Sequence, residues 1–144
     1  MIYWFTGQPC AGKTILADKL KKEIPGAYRI DGDDIRELFS NKDYSIKGRV
    51  ENVGTAQRIA QYLHNQGKDV IVSLVSPYID QREDFKLIMG NNIQEIYVHC
   101  SDIRERDHFK SIAYNPPYEN YIDINTTFDS PEKSFEKLLE ALHE

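Results

Sequence analysis

The chain has 144 residues and the composition of an ordinary globular protein, which is enough for one domain with its own hydrophobic core. A formal net charge of −5 argues against a surface built to bind nucleic acid or anionic membrane. The two cysteines do not indicate a disulfide framework, and no membrane-length apolar stretch or N-terminal signal pattern is evident, so we expect a cytoplasmic protein.

The N-terminal region predicts a strand, a glycine-rich loop and a helix. Residues 2–5 form a short apolar run typical of a buried strand, and residues 13–23 have a plausible helical face. The loop between them fits the phosphate-binding pattern G-x-x-x-x-G-K-[ST] without exception. The expected nucleotide-binding residues are this loop and the position after it, namely Gly7, Gln8, Pro9, Cys10, Ala11, Gly12, Lys13, Thr14 and Ile15.

This loop predicts the chemistry of a bound triphosphate. Its backbone N–H groups would surround phosphate oxygens, and the following helix would add the positive end of its dipole. Lys13 would reach the β- and γ-phosphates, and the Thr14 hydroxyl would bind Mg²⁺. Cys10 is interpreted as a small loop residue rather than as a redox group.

The second cluster, Asp31-Gly32-Asp33-Asp34-Ile35-Arg36, follows a predicted strand at residues 27–30 and begins a helix that we expect to reach about residue 40. One carboxylate there could order Mg²⁺ through its waters, and another could accept a proton from an attacking hydroxyl. Arg36 could bind an anionic substrate. A simpler interpretation, helix capping by aspartate, also fits the segment.

Two further clusters lie on the next helix and strand. A long helix over residues 49–66 places Arg49 and Asn52 on one face, where they could bind an anion or a base edge or simply be solvated. The strongest strand, residues 70–74, ends at Ser76-Pro77-Tyr78 without an aspartate, so a Walker-B carboxylate is missing. The acid linked to magnesium is therefore expected to be Asp31 or Asp33.

The remaining pattern completes an alternation of strands and helices. It predicts a helix at residues 80–89, strands at 95–98 and 121–124, and a last helix capped by Ser130 and opened by Pro131. Such alternation indicates an α/β fold with a mostly parallel sheet of about five strands and helices on both faces. Ligands of such sheets bind beyond the carboxyl ends of the strands.

From about residue 4 to residue 82, the motifs occur in one ordered series. They are the loop at residues 7–14, D-G-D-x-x-R at 31–36, R-x-E-N at 49–52, and S-P-Y at 76–78 with the later Arg82. This series resembles the adenylylsulfate kinase family, whose members phosphorylate the 3′-hydroxyl of adenosine 5′-phosphosulfate. The resemblance implies a three-layer P-loop NTPase fold for residues 1–144 as a single domain, with ATP and Mg²⁺ as cofactors.

The resemblance also implies roles for individual residues. Asp33 would orient or deprotonate the acceptor hydroxyl, with Lys13 as the other catalytic residue, and Asp31 would assist Mg²⁺ and its waters. Arg106 would lie near the base of ATP. The substrate-binding residues implied are Asp31, Asp33, Arg36, Arg49, Asn52, Leu74, Val75 and Ser76.

The second half of the chain departs from the family pattern. The lid, at about residues 107–119, is shortened and contains one lysine, and the stacking aromatic could be Phe109, Tyr114 or Tyr118. A kinase of another small hydroxyl compound, such as a nucleoside, sugar or sugar acid, therefore remains an alternative, as does a non-catalytic nucleotide-binding module. The expected partner is a small-molecule substrate, not nucleic acid or membrane. The sequence does not decide between a monomer and a homodimer.

Overall fold

The computed structural model describes residues 1–9, 11–101 and 113–144. In chain order its elements are β1 (Ile2–Thr6), α1 (Lys13–Glu23), β2 (Tyr28–Asp31), α2 (Gly32–Leu38), α3 (Ile46–Asn65), β3 (Val70–Ser73), α4 (Ile79–Met89), β4 (Ile93–His99), β5 (Tyr121–Asn125) and α5 (Pro131–Leu142). A short 3₁₀ turn, Gly90–Asn92, joins α4 to β4. Within these described ranges, no helix is long and apolar enough to cross a membrane.

The described strands form a parallel sheet in the order β2-β3-β1-β4-β5. Phe5 of β1 pairs with Ser73 of β3, which pairs with Asp31 of β2 on its other side. These three residues therefore form one row across the sheet, just below its carboxyl edge. Since neighbouring strands lie about 4.8 Å apart, the phosphate loop and the acidic turn emerge about 10 Å from each other.

Helices cover both faces of the sheet, as continuous apolar strands require. One core packs α2, α3 and α4 against the face that carries Trp4 and Val72. The other packs α1 and α5 against the face that carries Phe5 and Ile71. The predicted α/β fold with a parallel five-stranded sheet is confirmed, and the described part of the chain places helices on both faces of that sheet.

Element ends differ from the sequence prediction where polar side chains cap helices. Helix α3 begins at Ile46 rather than at residue 49, because the Ser45 hydroxyl accepts a hydrogen bond from the Gly48 N–H at 3.3 Å. Strand β2 extends to Asp31, whose carboxylate then caps α2 by accepting from the Asp33 N–H at 2.9 Å. Helix α2 ends at Leu38, two residues before the predicted end, and Ser40 has a positive φ of 52°.

Candidate active site

The phosphate loop lies between β1 and α1 in the shape that its glycines permit. Gly7 has a φ of 152°, and a Cβ at this position would lie 2.1 Å from the backbone oxygen of Val98. Lys13 is 8% exposed, and its Nζ donates to the Gln8 carbonyl at 2.8 Å, so its side chain folds back over the loop. The Thr126 hydroxyl donates to the Ala11 carbonyl at 2.9 Å and ties the loop to the turn after β5. The loop thus forms a backbone-lined cradle at a helix N-terminus, which fits a chain of phosphates.

Gly7→Ala is expected to disrupt this cradle, because the new methyl group meets backbone rather than a flexible side chain. We expect a loss of unfolding free energy of about 2–3 kcal/mol and loss of nucleotide binding. Urea unfolding and titration with a fluorescent ATP analogue would measure both effects. Gly26→Ala is the matched control, since a Cβ there meets nothing within 4 Å, and similar losses in the two variants would contradict the assignment.

The residues beside the loop also fit a magnesium ion held mainly by phosphates and water. Thr14, the second residue of α1, is exposed, and its hydroxyl has no hydrogen-bond partner within the described ranges. Those ranges contain no group of three or more acidic, histidine or cysteine side chains able to hold a metal alone. A site of this kind suits Mg²⁺, which usually keeps several waters and takes one or two protein ligands together with substrate phosphates.

The two aspartates of the acidic turn have different surroundings. Both oxygens of Asp31 are engaged, since Oδ1 accepts from the Asp33 N–H and Oδ2 accepts from the Ser73 hydroxyl at 3.2 Å. The Arg29 guanidinium donates to the Ser73 hydroxyl at 2.6 Å and lies 3.8 Å from Asp31 Oδ2. The Asp33 side chain is exposed and has neither a hydrogen bond nor an ion pair within the described residues. Of the two carboxylates, Asp33 is therefore the one available to a ligand.

Arg36 is held by the loop between α2 and α3. Its Nη1 donates to the Asn41 carbonyl and Oδ1, both at 3.2 Å, and to the Asp43 carbonyl at 3.1 Å. Its guanidinium lies 4.0 Å from the centre of the Tyr44 ring. The loop thus restrains the side chain through one nitrogen, while Nε and Nη2 make no hydrogen bond within residues 1–9, 11–101 and 113–144 and could bind an anionic ligand.

Arg49 and Asn52, one turn apart on α3, differ in burial. Asn52 is 7% exposed, and its Nδ2 donates to the Gly32 carbonyl at 3.3 Å. Its Oδ1 is buried without a hydrogen-bond partner among the described residues. Arg49 is half-buried and makes no ion pair within the same ranges. Because a buried polar atom without a partner is costly, Asn52 Oδ1 suits a ligand that brings a donor.

The turn after β3 runs between the acidic turn and the phosphate loop. A Cβ on Gly32 would lie 2.7 Å from the Leu74 Cβ, so the acidic turn packs directly against Leu74. Val75 offers its carbonyl to the Thr6 hydroxyl at 2.7 Å. Ser76 has a φ of 48°, in the left-handed region, and its buried Oγ has no partner among the described residues.

Several of these positioning residues have no recognisable signal in the sequence. Ser73, Thr6 and Arg29 carry no motif signal, because their roles depend on pairing between strands. Tyr114, one of the predicted stacking aromatics, is engaged in the fold: its ring stacks on Tyr97 at 5.7 Å between centroids. Tyr118 is 72% exposed. The predicted residues Cys10, Phe109 and Arg106 lie outside the described residues.

The chain is similar to known kinases in its family profile, in the sequences of individual relatives and in the fold of a solved structure. The sequence profile described as adenylylsulphate kinase matches residues 1–134. The adenylyl-sulfate kinase of Clostridium acetobutylicum is 28% identical over 141 residues, covering 92% of this chain and 70% of the relative. The cytidine diphosphoramidate kinase of Campylobacter jejuni is 30% identical over 139 residues, covering 91% and 81% respectively. The solved Mycobacterium tuberculosis APS kinase CysC in complex with AMPPNP and APS has a TM-score of 0.80 at 21% identity, covering 99% of this chain and 97% of that one.

Proposed function

This chain belongs to the adenylylsulfate kinase family, and we propose that it transfers the γ-phosphoryl group of ATP to the 3′-hydroxyl of adenosine 5′-phosphosulfate. Family membership makes the chain an ATP-dependent kinase with a hydroxyl acceptor.

The observation that carries the proposal is the Asp33 carboxylate, which has no partner among the described residues and lies at the sheet edge that also holds the phosphate loop. An acceptor hydroxyl beside Asp33 would face a γ-phosphate held by the loop and Lys13. Asn52 Oδ1 and Ser76 Oγ, which are buried without partners in the described part of the chain, support the same proposal. A nucleotide acceptor brings N–H and O–H groups that can hydrogen-bond to these two oxygens.

In the proposed mechanism, the chain mainly positions the reactants and stabilises charge, as in phosphoryl transfer generally. Asp33 accepts the proton of the acceptor hydroxyl. The oxygen of that hydroxyl bonds to the γ-phosphorus of ATP while the bond from this phosphorus to ADP breaks and ADP leaves. Lys13 and the loop N–H groups offset negative charge on the phosphates. Mg²⁺, when bound at Thr14 with Asp31 ordering its waters, would offset more of that charge.

The acceptor side would bind anions through the guanidinium groups of Arg36 and Arg49. Arg36 is already restrained by the loop between α2 and α3, so less side-chain entropy would be lost when an anion binds. Adenosine 5′-phosphosulfate carries such an anionic group next to its ribose. The turn of Leu74, Val75 and Ser76 would form the pocket wall.

A second acceptor is favoured by one comparison. The relative named cytidine diphosphoramidate kinase is as similar to this chain as the relatives named adenylyl-sulfate kinase. A different nucleotide acceptor, with the same transfer to a hydroxyl, is therefore the alternative proposal.

Product analysis separates the two acceptors. The protein is mixed with Mg²⁺, γ-³²P-labelled ATP and either adenosine 5′-phosphosulfate or cytidine 5′-diphosphoramidate, and the products are identified by mass spectrometry. We expect the larger kcat/KM with adenosine 5′-phosphosulfate, with label on its 3′-oxygen. A larger kcat/KM with the cytidine compound would establish the alternative, and transfer to neither would refute both acceptors.

A further inference from the structure

We propose that Arg82, on α4, is a positioning residue for the acceptor side of the site. It holds the turn of Leu74, Val75 and Ser76, called the Ser76 turn below, in the conformation that makes the Ser76 hydroxyl available to the acceptor. The inference rests on the proposed function, because that function gives the Ser76 turn its role. Arg82 is 1% exposed, so it acts through its contacts inside the protein.

The backbone conformation of the Ser76 turn requires stabilising contacts. Ser76 has a φ of 48°, and a residue other than glycine keeps this strained left-handed conformation only where its surroundings fix it. The Ser76 carbonyl accepts from Arg82 Nη1 at 2.6 Å and from the Thr6 hydroxyl at 3.3 Å. Both bonds are made by the main chain of Ser76, and its side-chain hydroxyl has no partner among the residues that the structure describes.

The Arg82 guanidinium is itself fixed to the sheet. Its Nε donates to Glu95 Oε2 at 2.9 Å, and Glu95 is 1% exposed on β4. The other Glu95 oxygen accepts from Lys86 Nζ at 2.8 Å, so the buried carboxylate has two cations. Arg82 Nη2 donates to the Asn115 carbonyl. Since the guanidinium is planar and bonded on three nitrogens, its direction toward Ser76 is determined.

Tyr114 contacts both residues that bind the Ser76 carbonyl, Arg82 and Thr6. The Arg82 guanidinium lies 5.1 Å from the centre of its ring, and its hydroxyl is 2.9 Å from Thr6 Oγ1. Thr6 has one hydroxyl hydrogen, which is shared between the Val75 carbonyl at 2.7 Å and the Ser76 carbonyl at 3.3 Å, so Tyr114 is the donor in this pair. Burial raises the pKa of Tyr114, which keeps the phenol protonated as that donor. Because Thr6 directly precedes Gly7, the same contacts connect the Ser76 turn to the phosphate loop.

Arg82→Met tests the inference, with Lys86→Met as the matched control. Each variant removes one of the two cations at Glu95, but only Arg82 contacts Ser76. We expect Arg82→Met to raise KM for adenosine 5′-phosphosulfate about tenfold while KM for ATP changes less than about twofold. Hydrogen exchange in the peptide covering residues 74–79 should become about tenfold faster. Lys86→Met should leave KM and that exchange unchanged.

A second variant keeps the test valid if Arg82→Met folds poorly. Arg82→Met/Glu95→Gln removes both charges of the pair, and it should show the same change in KM and in exchange. Unchanged exchange at residues 74–79 in both Arg82 variants, or an equal change in Lys86→Met, would overturn the inference. If the wild-type protein phosphorylates no adenosine 5′-phosphosulfate but exchange responds as expected, the proposed acceptor fails and the positioning role of Arg82 stands.

Discussion

Lys13→Ala is expected to lower kcat by about two to three orders of magnitude while the protein stays folded. Lys13 is the one loop side chain that would place a full positive charge on the transferred phosphates. Its Nζ is held near the Gln8 carbonyl, so little reorganisation is needed when ATP binds. Alanine carries no charge, so the loss should appear chiefly in kcat rather than in the stability of the fold.

The measurement is steady-state kinetics with a coupled assay for ADP, together with circular dichroism and thermal unfolding. Lys19→Ala is the control on the same helix, where the lysine lies 3.8 Å from Glu132 at the surface. It should leave kcat within about twofold, because an exposed ion pair contributes little. Turnover near the wild-type rate in Lys13→Ala would mean that the loop does not hold the reacting phosphates.

Asp33→Asn is expected to lower kcat by about two to four orders of magnitude with KM for ATP nearly unchanged. The substitution retains the shape of the side chain and removes its ability to accept the hydroxyl proton. Because the carboxylate makes no hydrogen bond or ion pair within the described part of the chain, its loss should not destabilise the fold. The effect would therefore report on chemistry.

Asp34→Asn is the matched control for this experiment. Asp34 is the next residue in the first turn of α2 and is exposed as well. Both variants remove one negative charge near the start of that helix, so they share the small effect on the helix dipole. A loss of kcat in Asp34→Asn as large as in Asp33→Asn would assign the effect to local charge rather than to proton transfer.

Asp31 illustrates a distinction that sequence reasoning left open. The D-G-D-x-x-R segment predicted both a functional role and helix capping for its aspartates. The structure assigns capping to Asp31, which accepts from the Asp33 N–H, while the Asp33 side chain stays unpartnered within the described residues. The proposed assistance of Asp31 to magnesium is compatible with capping, since a carboxylate oxygen can accept more than one hydrogen bond.

The phosphate loop, the acidic turn and the alternation of strands and helices were all predictable from local sequence. These features depend on neighbouring residues, because glycine torsions, capping and apolar periodicity act over a few positions along the chain. The family resemblance extended the site to Arg49, Asn52 and Ser76 in the same way, through short motifs in a fixed order.

The orientation of these motifs and the contacts that support them depend instead on how distant segments pack together. The row of Phe5, Ser73 and Asp31 depends on strand pairing across about 70 residues of chain, and no local pattern specifies that register. The contacts of Arg82 with Ser76, Glu95 and Asn115 likewise join segments distant in sequence. Side-chain partners of this kind follow from packing, which is a property of the whole fold rather than of any segment.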